Sequence, residues 1–325
     1  MTRSLRHGTL AFFLVLSGAL PAAVLAQAFP SRPIKIVVPF APGGAVDSVA
    51  RVVGARMAEQ TGQPVVIESK PGANMNIGTQ AVIAAPADGY TLLLGANPLA
   101  TNPTLDPKLP FEPLRDLAPV ARVGYAPLVL VVPANSPARS VSELAALSKA
   151  KPNTFYYGSA ASGSSGHLAT ELLKTATGLD AQHVAYKGGA PALTDLVGGR
   201  LDLMLINPLE AAPHVKAGTL RALAVSSEKR IAALPDTPTF AEAGVKGFEA
   251  SVWWGFLVPA ATPKDVVARL TAETLKALEN DAVRARLEAM GAVVAPLNAD
   301  GFGRYLRDET QKWAGVIRAA KITAE

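Results

Sequence analysis

From Ile34 onward, short β-branched and aliphatic runs alternate with segments whose apolar residues recur at helical spacing. That alternation limits the fold more than any other feature of the chain. Residues 34–38 read as a strand. Residues 47–62 read as a helix with Val49, Val52, Val53 and Met57 on one side. Strand 64–68 follows, then helix 77–85, ended by Pro86 and the turn Asp88-Gly89, then strand 90–95. A β-α-β-α-β order implies a mostly parallel sheet with right-handed crossovers. A proline-rich stretch, 97–119, interrupts the rhythm. It resumes with strand 128–132, helix 141–150, strand 154–157, helix 167–177, strand 183–186, helix 190–197 and strands 201–206 and 220–225. Strand 253–258 and helical patterns over 264–290 and 301–320 complete the chain. Two α/β blocks of roughly a hundred residues each point to two domains of ordinary size. Two sheets meeting at a cleft is the natural architecture. Open parallel sheets take ligands beyond the carboxyl ends of their strands.

The chain has 325 residues, 49% hydrophobic and 18% charged, which excludes a disordered protein and supplies a large core. There is no cysteine, so disulfide scaffolds, thiolate metal sites, cysteine nucleophiles and a lipidated N-terminal cysteine are excluded together. Arg3 and Arg6 precede the apolar run Leu10 to Leu16, and Val24-Leu25-Ala26 places small residues where a signal peptidase cuts. That order is expected of a secretory leader spanning 1–26, too short for a stable membrane anchor. Removing it takes two of the 31 basic residues and none of the 26 acids, so the net charge falls from +5 to +3. With no Lys/Arg run to concentrate this charge, nucleic acid is not an expected partner. A soluble periplasmic protein is the expectation.

Three strand-to-helix connections are rich in small residues where a backbone would approach a ligand: 39–47, with Gly43-Gly44; 158–166, with four serines; and 186–191, with Gly188-Gly189. Glycine permits close approach, and unpaired N–H groups at a helix start favour an anion. Each loop alone could be only a tight turn, and Ser165 is expected to cap the helix that follows. None is a nucleotide motif.

These loops sit within segments that resemble the receptors of tripartite tricarboxylate transporters, the Bug or TctC-like solute-binding proteins. The resemblance is carried by FPSRPIKIVVPFAPGGAVDSVARVV, GQPVVIESKPGANMNIGTQAV, APADGYTLLLG, HLATELL, HVAYKGGAPALTDLVGGRLDLML, LRALAVSSEKRIAALPDTPTFAEAG and WWGFLVPAATP, in that order. It implies a type II periplasmic-binding-protein fold: two α/β lobes joined by two crossing strands, with a ligand cleft between them. Lobe 1 is expected to comprise 27–128 plus 252–325, and lobe 2 to comprise 129–251. It implies closure around a small organic anion, usually a carboxylate and conceivably aromatic, and delivery to the transporter's membrane subunits by a monomer without cofactor. By the same resemblance the ligand-binding residues are Phe40, Pro42, Gly43, Gly44, Asp47, Asn97, Ser159, Ala160, Ser164, Ser165, His167 and Asn207. Lys70-Pro71-Gly72-Ala73-Asn74-Met75 departs from the family's usual small pair at the last two positions, which reshapes that loop.

Other chemistry finds less support. His167 and Glu171 share a helical spacing that could hold a metal, but no second close ligand pair accompanies them. His167 is expected to order the serine loop instead. A secreted esterase acting through Ser164 or Ser165 would need a nucleophile elbow, and its GxSxG spacing is absent there. Asp47 and Asp195 are expected to buttress helices. A receptor that signals to a sensor protein would use the same cleft. Trp253 and Trp254, adjacent in a strand, are expected on opposite faces, at least one of them in the core or hinge.

Overall fold

The computed structural model describes residues 29–323 other than Lys187; the expected leader at 1–26 lies outside the described residues. The chain begins with β1 (Ile34–Val38), α1 (Ala45–Thr61), β2 (Val65–Ser69), α2 (Asn76–Ile83), β3 (Thr91–Gly95), α3 (Pro98–Leu105), α4 (Pro113–Asp116) and the long β4 (Leu117–Pro127). A second run follows: β5 (Val129–Pro133), α5 (Val141–Ala150), β6 (Tyr156–Ser159), α6 (Ser165–Thr177), β7 (Gln182–Ala185), α7 (Gly189–Val197), β8 (Leu203–Ile206), α8 (Pro208–Lys216) and β9 (Leu220–Val225). The chain then returns through β10 (Ser251–Pro259), α9 (Lys264–Glu279), α10 (Asp281–Ala289) and α11 (Ala299–Ala319).

Two five-stranded sheets result, ordered β2-β1-β3-β10-β4 and β7-β6-β8-β5-β9. In the first, β1 runs parallel to β2 and β3, and β10 lies antiparallel to β3 and β4. In the second, β6 runs parallel to β7 and β8, while β5 lies antiparallel to β8 and β9. Helices cover the sheets, so β5 and β8 are buried along their whole length, as strands covered on both faces must be. The architecture is two α/β lobes, as the alternation and the resemblance imply.

Two elements differ from the sequence reading. The proline-rich stretch holds α3, α4 and the start of β4 rather than irregular chain. Pro98 occupies the first turn of α3, where its missing N–H costs nothing, and β4 tolerates Pro119 because it is an edge strand paired only with β10. The helical pattern 264–290 is two helices. Asn280 ends α9 and caps α10 by accepting the Val283 N–H at 3.2 Å.

The lobes are linked where β4 passes through the single residue Leu128 into β5, and where β9 leads back to β10. Ser226, buried, accepts the Leu128 N–H on its Oγ at 2.7 Å and donates that hydroxyl to the Ala250 carbonyl. One side chain thus ties together both crossings. Trp253 and Trp254, at the start of β10, are both buried; Trp253 meets Phe302 edge-on at 5.5 Å.

Candidate functional site

The parallel strands β1, β2 and β3 of one lobe and β6 and β8 of the other end in loops that carry the polar residues of interest. After β1, Gly43 takes φ +86° and Gly44 precedes the first turn of α1. Phe40 is half-buried, and Pro42 and Gly43 are exposed. Asp47 is buried in that first turn and turns back on the loop: its Oδ2 accepts the Gly43 N–H at 3.0 Å and the Arg51 Nε–H at 2.8 Å. Burial would raise its pKa, but the Arg51 guanidinium and the Gly43 N–H outweigh it and hold the group below the usual carboxylate range. This ionised side chain shapes the glycine turn, the buttress expected of it.

After β2, Ala73, Asn74 and Met75 all adopt positive φ, +45°, +48° and +75°, a left-handed run that non-glycine residues rarely sustain. Met75 is buried in the core. Asn74 Nδ2 donates to Asn102 Oδ1 at 2.7 Å and to the Ser162 carbonyl at 3.0 Å. Asn102 Nδ2 in turn donates to the Asn74 carbonyl and to Asn76 Oδ1. Thr101 Oγ1 donates to the Gly163 carbonyl at 3.2 Å. These bonds join the first lobe to the serine loop of the second, so the lobes meet across the cleft.

Asn97, placed on the cleft rim by the resemblance, is instead wholly buried. Its Nδ2 donates to the Ser251 carbonyl and its Oδ1 accepts the Trp253 N–H, so both ends of the amide are committed to β10. It fastens the crossing strand rather than facing the cleft.

In the second lobe the serines separate by partner. Ser159 is wholly buried, donates to the Ala161 carbonyl at 2.9 Å and lies 2.7 Å from His183 Nε2. Ala160 accepts the Gly188 N–H on its carbonyl, drawing the third small-residue loop onto the serine loop; Lys187 of that loop lies outside the described residues. Ser164, not Ser165, is the N-cap of α6, and its side chain makes no capping bond; Ser165 is the first helical residue. His167, at the third helical position, instead fastens the loop before the cap: its Nδ1 accepts the Gly163 N–H at 2.9 Å. His167 stacks on His183 with ring centroids 3.7 Å apart. Burial above all, then the charges of His183 and Lys174, lowers its pKa to about 3, so it remains a neutral acceptor. Glu171 turns away to Tyr157 and Lys174. At the end of β8, Asn207 caps α8 by accepting the Leu209 N–H on Oδ1 at 2.9 Å.

Among the buried polar atoms without a hydrogen-bond partner are the donors Thr79 Oγ1 in the first lobe and Ser162 Oγ, Ser164 Oγ and Asn207 Nδ2 in the second, beside the acceptors Asp47 Oδ1 and Asn74 Oδ1. Buried polar groups are nearly always paired, and each orphan costs about 1–3 kcal/mol. The first intrahelical bonds of α1 and α6 run from Ser48 to Gly44 and from Leu168 to Ser164, which leaves the preceding N–H groups of each helix without helical acceptors. Among the described residues of these loops, Arg51 is matched by Asp47 and Lys70 by Glu68. Neutral donors and helix N-termini of this kind suit a small anion.

Comparison with known proteins follows this geometry. The sequence profile of the tripartite tricarboxylate transporter family receptor matches residues 49–322. The chain belongs to that family. Protein BugT of Bordetella pertussis is 39% identical over 320 residues, covering 98% of this chain and 97% of BugT. The solved structure of Rpa4515 from R. palustris with adipate superposes with a TM-score of 0.87 at 36% identity, covering 91% of this chain and all of that one. MatC from Rhodopseudomonas palustris with bound malate gives 0.81 at 33% identity, with 89% and 100% covered. As a member of this receptor family the chain is a solute-binding protein and not an enzyme. Ser164 Oγ accordingly has no histidine partner. Among the described residues no helix is long and apolar enough to cross a membrane.

The family resemblance names the loops. It does not single out Thr79, Asn74, Asn102 or Ser162, because nothing local marks which side chains packing will bury or the opposite lobe will reach. Only the departure at Asn74-Met75 signals the latch.

Proposed function

We propose that this receptor captures a small carboxylate between its lobes and hands it to the membrane subunits of a tripartite transporter, after export by its leader to the periplasm as a monomer. The observation that carries the reading is the set of four buried donors, Thr79 Oγ1, Ser162 Oγ, Ser164 Oγ and Asn207 Nδ2, drawn from both lobes and left without partners. Unpaired, four such groups together cost roughly 4–12 kcal/mol, comparable with the whole stability of a domain. A carboxylate accepts from several of them at once and recovers that cost. Gly43, Gly44 and Ala160 supply close-approach backbone, and Phe40 and Pro42 wall the loop. Asp47, Ser159 and His167 hold the loops in shape. Lobe 1 (27–128 plus 252–325) and lobe 2 (129–251) move about the crossings tied by Ser226. Contacts such as Asn74 to Ser162, present only when the lobes meet, favour closure. Adipate-bound Rpa4515 and malate-bound MatC support this ligand class.

Calorimetry on the mature protein with adipate, malate, benzoate and neutral sugars tests the reading. Binding of at least one acid and of no sugar is expected. Sugar binding with every acid silent would overturn it. Co-purification with transporter membrane subunits, rather than with a sensor protein, tests the delivery step.

A further inference from the structure

β8 ends at Ile206, and α8 opens with Asn207-Pro208-Leu209-Glu210. Asparagine at the cap with glutamate at the third helical position has the spacing of a capping box, in which the glutamate returns to the N–H of the cap residue. Glu210 does not do this. Both its carboxyl oxygens lie against Gly189 at the start of α7, so close that a Cβ on that glycine would stand 2.6 and 2.9 Å from them. Among the described residues the carboxyl group makes no ion pair or side-chain hydrogen bond. Burial pushes its pKa up to about 7. Glu210 is thus a half-buried acid that forgoes its local cap and has no protein partner among the described residues.

Its surroundings place it beside the cleft. The Gly188 N–H donates to the Ala160 carbonyl at 2.8 Å, so the glycine turn beneath Glu210 lies on the serine loop. Pro208 lies against Gly291 of the other lobe, where an added Cβ would stand 2.9 Å from the proline Cβ. The first turn of α8 is therefore where the lobes meet. Asn207, 5% exposed, adds a second observation: its Nδ2 is enclosed and has no acceptor. Both side chains leave the first turn of α8, Asn207 at the cap and Glu210 at the third helical position. That turn presents one unused donor, Asn207 Nδ2, and one unused acceptor, the Glu210 carboxylate.

We infer that the first turn of α8 reads a hydroxyl group on the carboxylate ligand, with Glu210 as the specificity-determining acceptor. A hydroxyl accepts from Asn207 and donates to Glu210, so both are satisfied by one small group. A bare methylene leaves both unpaired. An ammonium leaves Asn207 unpaired, and a second carboxylate meets Glu210 as a like charge. The inference rests on the carboxylate reading above and adds a preference within it.

Calorimetry on the full mature protein with matched acids is the test: malate against succinate, 3-hydroxybutyrate against butyrate, and 3-hydroxybenzoate against benzoate. In the pairs that bind, the hydroxy acid is expected to bind about tenfold more tightly, the effect of one hydrogen bond to a charged group. Glu210→Gln is expected to reduce that ratio to below about threefold. Glu210→Met, of similar length and without the acceptor, should erase the ratio, and serves if the glutamine variant folds poorly. A purely structural glutamate would weaken both members of a pair equally. An unchanged ratio in the variants, equal affinities in the native protein, or aspartate binding more tightly than malate would each overturn the inference and leave the carboxylate reading intact. Silence from every acid would remove that reading and the inference together.

Discussion

Asn74 offers a perturbation in which folding stability and ligand affinity respond separately. Its φ of +48° is one that glycine adopts freely and alanine adopts at a cost of about 1–2 kcal/mol. Its Nδ2 reaches Asn102 within its own lobe and the Ser162 carbonyl of the other lobe at 3.0 Å. Asn74→Gly relieves the backbone, but adds unfolded-chain freedom worth about 0.5–1 kcal/mol and leaves the buried Asn102 Oδ1 unpaired at about 1–3 kcal/mol, so a net loss of about 1–2 kcal/mol is expected. Asn74→Ala loses the same Asn102 bond and keeps the strained backbone with a side chain that gains nothing from it, so it falls about 1–2 kcal/mol below the glycine variant. Both substitutions remove the same cross-lobe bond, which exists only with the lobes together. Such a bond is worth about 0.5–1.5 kcal/mol, so affinity falls by roughly two- to thirteen-fold in both variants. The loss should appear mainly as faster release, since closure follows first contact. Urea unfolding measures the stability. Stopped-flow fluorescence of Trp253 and Trp254, both buried at the crossing strand, follows closure and release. Native affinity in Asn74→Gly, or a larger affinity loss in Asn74→Ala than in Asn74→Gly, would refute the view that this side chain latches the closed cleft.

Three further outcomes follow from the site. Ser164→Ala removes a buried hydroxyl that has no partner in the protein, so calorimetry should show about tenfold weaker ligand binding while the melting temperature without ligand stays level or rises; a clear fall in that temperature would contradict the assignment. Gly163→Val adds a side chain at φ +72°, where even a Cβ would collide with Leu105 of the other lobe. Closure should fail and binding be lost while circular dichroism stays native; retained affinity would show that the lobes need not meet there. His167 is held neutral with a pKa near 3, whereas the unfolded chain takes up that proton near pH 6.5. The unfolded state binds more protons between those values, so stability falls as pH drops through them, by up to about 1.4 kcal/mol per unit. His167→Gln should flatten that slope in urea titrations from about pH 7 to about pH 4, and an unaltered slope would contradict the burial argument.

The sequence by itself determines the alternation of strands and helices, the small-residue loops at strand ends and, through the colinear segments, the family. Those features are local: periodicity, glycine and proline act within a few residues of themselves. Even locally it misleads where proline competes with pairing, as in α3 and β4, and where one asparagine, Asn280, divides a continuous apolar pattern into α9 and α10. Which of several similar side chains is left without a partner is decided only by the tertiary structure. Ser159 and Ser164 lie five residues apart in one loop, yet the first is consumed by His183 and Ala161 while the second has no partner at all. Asn97 and Asn207 both follow strands, but the first is spent on β10 and the second keeps a free N–H. Whether a hydrogen-bonding group is satisfied depends on what arrives from distant parts of the chain. Burial and pairing, which set the free energy of those groups, exist only once distant segments of the chain have packed together.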